Sequence, residues 1–152
     1  MTEHELIRCA TPAAAAVAAA EVIRDELSSR LAAAATASLA FSGGSSPGPM
    51  VDRLAGADLD WDRIDVFQVD ERVAPDGDPA RNLTGLRSRL TAEAVPDGRL
   101  HAIPVGLGAD AAAGDYAATL TTVLGDPAVL DVVHLGLGDD GHTASLVPGD
   151  AA

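Results

Sequence analysis

The stretch "LDVVHLGLGDDGHTASLVPGD", residues 130–150, decides the fold. Gly136-Leu137-Gly138-Asp139-Asp140-Gly141 fits G-x-G-x-x-G, the spacing with which a strand-to-helix turn cradles a dinucleotide pyrophosphate. In that fold the turn follows the first strand of a βαβ unit, opens a helix and precedes an acidic residue ~20 positions further on. Here it follows the last apolar run, Pro148 comes soon after, and no second strand follows. The dinucleotide reading fails on this placement. What remains is Gly-rich backbone presenting Asp140 and His142 at a strand end. A histidine there serves as a general base near neutral pH, and a neighbouring carboxylate orients it.

Upstream, strand-like and helix-like runs alternate. "TPAAAAVAAAEVIRDELSSRLAAAATA" from residue 11 has Thr11 as N-cap and Pro12 at the first helical position. Val17, Ala20, Ile23, Leu27 and Leu31 recur at helical spacing. "SLAFS" and "IDVFQVD" (64–70) predict strands, as do "LHAIPV" and "LDVVHLGLG". Helices are predicted at "PMVDRLAGA", at 82–94 and at "GADAAAGDYAATLTTVLG". Such alternation predicts a three-layer α/β fold, a mostly parallel sheet with helices on both faces, as one domain over residues 1–152. Sites in such folds form at the carboxyl ends of the strands. The loops "SGGSS", "DER" and "DDGHTAS" each follow a strand, so they are expected to converge.

Composition narrows the partners. The 152 residues carry a formal charge of −13, and all ten basic residues are Arg. An acidic chain repels nucleic acid and anionic membranes, so neither is expected as a partner. An anionic ligand requires a local Arg cluster or backbone N–H groups. The single Cys9 excludes an internal disulfide. Dispersed histidines and the lack of a Cys cluster argue against a metal site. No signal-like segment or membrane span is read, and a cytoplasmic location is expected. No G-x-S-x-G elbow occurs, so a serine nucleophile is not expected.

Each remaining loop admits two readings. In "SGGSSPGP" the paired glycines let N–H groups turn inward beside serine hydroxyls, just before a helix start, which suits a phosphate. An ordinary strand-to-helix turn explains the loop as well. In "VDERVAP", Asp70 at the strand end and Arg72 two residues on are suited to sugar hydroxyls and to a phosphate or oxyanion. A solvated ion pair is the alternative, and for Arg81 the alternative is a surface side chain. His134 reads as a core or interface residue, and His4 and His101 as incidental.

"LAFSGGSSP", "FQVDERVAPDGDPARN" and "LGLGDDGHTASLVPG", in this order, resemble the 6-phosphogluconolactonases. The family pattern is S-G-G-S-T-P, then D-E-R with a following S-N, then G-x-G-x-D-G-H-T-A-S-x-F-P. Glucosamine-6-phosphate deaminases share D-G-H but continue Ile-Ala-Phe-Asn-Glu-Pro. The resemblance implies the sugar-phosphate isomerase/CoA transferase-like fold. It also implies hydrolysis of 6-phospho-D-glucono-1,5-lactone to 6-phosphogluconate in the oxidative pentose phosphate pathway, without metal or organic cofactor. By motif, His142 becomes the base that activates water, Asp140 its partner, and Asp70 and Arg72 substrate contacts. Gly43, Gly44, Ser45 and Ser46 become the phosphate loop, with Arg72, Arg81 and Thr143 as further substrate-binding residues. The alternatives are a deaminase-like isomerase and a non-catalytic sugar-phosphate binder.

The chain departs from the pattern at Ser46 (Thr), Arg81 (Ser) and Val147 (Phe). Family members also run on beyond this motif and bring a basic phosphate ligand from there. The chain is therefore expected to be the amino-terminal portion of the domain, with an exposed sheet edge through which it self-associates.

Overall fold

In the computed structural model, residues 4–44, 46–91, 94–96 and 98–150 are described. Helix α1 (Pro12–Ala33) starts where Thr11 Oγ1 accepts a hydrogen bond from Ala14 N at 3.1 Å, with proline in its first turn. Its C-terminal carbonyls are held by Arg63, whose guanidinium donates to Leu31 O, Ala34 O and Ala35 O at 2.7–2.9 Å. Strand β1 (Ala37–Phe41) leads through the glycine loop to α2 (Gly48–Ala55). Strand β2 (Ile64–Gln68) leads through the long polar loop to α3 (Asn82–Arg87). Strand β3 (Leu100–His101), helix α4 (Ala109–Leu124) and strand β4 (Val132–His134) complete the order.

The four strands form one parallel sheet in the order β3-β2-β1-β4. β1 and β2 are buried at every position, as expected of central strands in an α/β sheet. Leu39, Phe41, Ile64 and Val66 meet Ile23 and Leu27 of α1 and Met50, Val51 and Leu54 of α2 in one core cluster. Leu27, Leu39, Ile64 and Val66 are completely inaccessible, and each contributes roughly 1.5–3 kcal/mol by burial. Ala40 and Phe67 alternate to the opposite face and are also buried. There His101 stacks on Phe67 at 4.7 Å and bonds Asp65 at 2.8 Å, while Arg99 bonds the other Asp65 oxygen. His101 is thus a fixed structural residue, where the sequence suggests an incidental one.

Three elements are shorter than the sequence predicts. α3 ends at Arg87, with turns after it. β3 stops at His101 because non-local side chains satisfy the next backbone groups. The Tyr116 hydroxyl accepts from Gln68 N at 2.8 Å and donates to Gln68 O at 2.7 Å, and Gln68 Oε1 accepts from Ile103 N at 2.9 Å. Pro104 has no N–H to continue the ladder. β4 covers three residues. Its entry is fastened to β1 by Asp131, whose carboxylate accepts from Ser38 N and Ser38 Oγ, each at 2.9 Å. Beyond β1, the other edge of β4 is unpaired among the described residues, and Val133, Leu135 and Leu137 are exposed there.

Candidate active site

The loops after β1, β2 and β4 meet at the carboxyl ends of their strands, at a crevice of about 250 Å³. Gly43, Ser46, Asp70, Arg72, Gly138 and His142 are among its walls. Gly44 and Asn82 also line it. Ser45 lies outside the described residues.

The histidine loop builds itself locally. Gly138 N donates to His142 O at 2.8 Å and Gly141 adopts φ +86°. This closes a tight turn in which Asp140 Oδ1 accepts from His142 N at 3.1 Å and lies 2.5 Å from His142 Nδ1. Those two bonds, the backbone N–H foremost, hold the Asp140 carboxyl below the usual carboxylate range. An ionised carboxylate on Nδ1 leaves Nε2 as the free ring nitrogen. A β-carbon on Gly138 would overlap the imidazole, so glycine is what admits the ring to this position. Thr143 faces elsewhere. Its hydroxyl donates to Gly136 O at 2.9 Å, and it does not line the crevice. That bond braces the loop.

The D-E-R loop is built around Glu71, whose side chain is fully buried. Its carboxylate accepts from Arg72 N (2.8 Å), Asn82 N (2.7 Å), Leu83 N (2.9 Å) and Gln68 Nε2 (3.0 Å). Burial alone raises its pKa, but these bonds outweigh burial and the carboxyl is held below its ordinary value. Arg81 is 7% exposed and its guanidinium reaches Glu71 at 3.4 Å and Asp76 at 3.3 Å. The sequence offers Arg81 as a substrate ligand or a surface side chain; in the structure it is buried, braces the loop and lines a cavity beside the crevice.

Asn82, matched by motif but not singled out for the site, joins the groups that were. Its Oδ1 accepts from Arg72 Nη1 at 3.0 Å, and its Nδ2 donates to Asp70 Oδ1 at 3.2 Å. Ser145 Oγ donates to Asp70 Oδ2 at 2.7 Å and so ties the histidine loop to the D-E-R loop across 75 residues. The Asn82 side chain fills the space a Gly43 β-carbon would take, which locks the glycine loop to the same network. Ser42, also unremarked in the sequence, is 7% exposed, and its hydroxyl has no partner among the described residues. No group of three or more His, Cys, Asp or Glu side chains suited to a metal occurs among those residues.

Comparison with known proteins accords with this geometry. Residues 10–152 match the family model described as glucosamine-6-phosphate isomerases/6-phosphogluconolactonase. The chain belongs to that family. A 6-phosphogluconolactonase of Rhizobium meliloti is 41% identical over 138 residues, covering 87% of this chain and 58% of the relative. One from Pseudomonas putida is 37% identical over 148 residues, covering 95% and 57%. The crystal structure of 6-phosphogluconolactonase from Leishmania guyanensis superposes with a TM-score of 0.83 at 28% identity, covering 94% of this chain and 63% of that one. The Thermotoga maritima enzyme gives 0.80 at 27%, covering 86% and 59%. The chain therefore spans a little over half the length of these relatives, and the fold is the expected α/β family fold in its amino-terminal portion.

Proposed function

We propose that this chain carries the base and substrate-binding half of a 6-phosphogluconolactonase and hydrolyses 6-phospho-D-glucono-1,5-lactone. The observation that supports this best is the Ser145–Asp70 hydrogen bond, which couples the histidine loop to the Asp-Arg loop. Ser145 belongs to the lactonase form of the motif; the deaminase form has Phe there.

In this reading His142 Nε2 takes a proton from water as the water oxygen bonds to the lactone C1. Asp140, ionised and bonded at Nδ1, stabilises the imidazolium that forms. The tetrahedral intermediate then expels the ring oxygen, the C1–O bond breaks, and the proton held on His142 passes to the leaving alkoxide. The product is an open-chain acid that loses a proton to solvent. No covalent enzyme intermediate is required. Asp70 is anchored on both oxygens and offers remaining lone pairs to sugar hydroxyls. The Arg72 guanidinium is anchored through Nη1 on Ala80 O and Asn82 Oδ1, leaving its other N–H groups for an anion.

Among the described residues no helix is long and apolar enough to cross a membrane, and a cytoplasmic site of action fits the single cysteine. The unpaired β4 edge supports self-association, which a concentration series in sedimentation velocity tests. The functional test is the disappearance of the lactone above its spontaneous rate, set beside ammonia release from glucosamine 6-phosphate. Turnover of the first without the second supports the lactonase reading; the reverse assigns the chain to the deaminases.

A further inference from the structure

The crevice holding His142 is one of two that share a wall. The second, about 370 Å³, lies on the far side of Ser42, Gly43, Gly44, Arg72 and Asn82, and is closed by Arg81, Gly85, Ser88 and Arg89. The first contains the ring nitrogen and the Asp70 carboxylate. The second adds Arg89 to Arg72 and the buried, unpartnered Ser42 hydroxyl. One site thus has a reacting end and a cationic end, with Arg72 between them.

Arg89 is fitted to this place. Its Nη1 is paired with Asp52. Its Nη2 and Nε lie over the first residue of α2, where a β-carbon on Gly48 would come within 2.6 Å of Nη2 and 2.7 Å of Cζ. Only a residue without a side chain allows the guanidinium to rest there. Among the described residues, Nη2 and Nε of Arg89 make no hydrogen bond, and neither do Nη2 and Nε of Arg72. Of the three arginines lining this cavity, Arg81 is paired with Glu71 and Asp76, so the open edges of Arg72 and Arg89, a helix start and a buried hydroxyl without a partner face it. An unsatisfied buried hydroxyl is costly unless a ligand completes it.

We propose that Arg89 is a specificity-determining ligand for the 6-phosphate, which sits in the Arg72–Arg89 cavity with Ser42 Oγ while the lactone carbon lies over His142. This rests on the lactonase reading for the identity of the sugar, but not for the anion. A phosphate monoester carries close to two charges at neutral pH, and two guanidinium groups answer it where one does not.

The test is calorimetric binding of 6-phosphogluconate, glucose 6-phosphate and unphosphorylated gluconate to the wild-type chain, Arg89→Gln and Gly48→Ala. Arg89 is part-exposed and its ion pair contributes little to folding, and Gly48→Ala leaves the charge in place but displaces the guanidinium. Both variants are expected to bind both phosphate esters about tenfold or more weakly, with gluconate unchanged and with KM for the phospholactone raised more than kcat is lowered. Phosphate-ester affinities within about twofold of wild type in both variants overturn the proposal, as does a wild-type chain that binds the esters no better than gluconate. Lactone turnover measured alongside separates the two claims. Turnover with Arg89 inert sinks the anion subsite alone, and Arg89-dependent ester binding without turnover sinks the lactonase reading alone.

Discussion

The imidazole of His142 rests against the bare α-carbon of Gly138, so closely that any β-carbon there would overlap ring atoms Cε1 and Nδ1. The glycine spacing that suggests a dinucleotide turn serves instead to seat this imidazole, the base of the proposed reaction. Gly138→Ala is accordingly expected to push the ring off Asp140. Misplacement of this order lowers kcat by about a hundredfold. Lactone kinetics check this, with thermal unfolding showing a folded variant; near-wild-type kcat contradicts it.

Asp140 is expected to act as a fixed charge across the working pH range. Its carboxyl is held below its ordinary value of 3.8, so it stays ionised at any pH above that. Asp140→Asn should lower kcat by roughly 10²–10⁴-fold, by analogy with loss of the orienting carboxylate in other His–Asp pairs. Lactone kinetics at neutral pH check this, and a variant kcat close to that of the wild type contradicts it.

Glu71 should make the fold acid-sensitive. A carboxyl lowered in the folded state stabilises fully above its unfolded value, near 4.5, and that stability is lost as pH falls through the folded value. Glu71→Gln places an amide among donors and should cost roughly 1–3 kcal/mol at neutral pH. Urea unfolding at neutral pH and near pH 4 (about the ordinary carboxylate range) is the check. The wild type should lose more stability on acidification than the variant; equal losses would exonerate Glu71.

How much of this was legible in the sequence divides along the range of the interactions. The strands β1 and β2, the helix start at Thr11-Pro12 and the convergence of three loops follow from local pattern, because each depends on neighbours in the chain. The length of β3 does not, since it is set by the Tyr116 hydroxyl bonding Gln68, 48 residues away. The Ser145–Asp70 tie is also invisible locally, as is the burial of Arg81 against Glu71 and Asp76. The bond from the Thr143 hydroxyl to Gly136 O is likewise not readable from the motif, because backbone geometry sets it.

Tyr116→Phe tests that non-local reading. Burial raises the Tyr116 phenol to about 12, against the opposing bond with Gln68, so its proton stays available to Gln68 O. Removing the oxygen leaves both backbone groups of Gln68 without a partner and should cost about 1–3 kcal/mol. Denaturant unfolding measures it, and a change below about 0.5 kcal/mol would mean that water replaces the hydroxyl without loss.

The most direct test of the whole account is the hydrolysis of 6-phosphogluconolactone by the purified chain beside His142→Ala. The account predicts a rate above spontaneous hydrolysis that falls to the spontaneous rate in the variant. An unchanged rate in a folded His142→Ala chain would contradict the assignment of the base, and a folded wild-type chain without activity would show that these three loops alone do not make the enzyme.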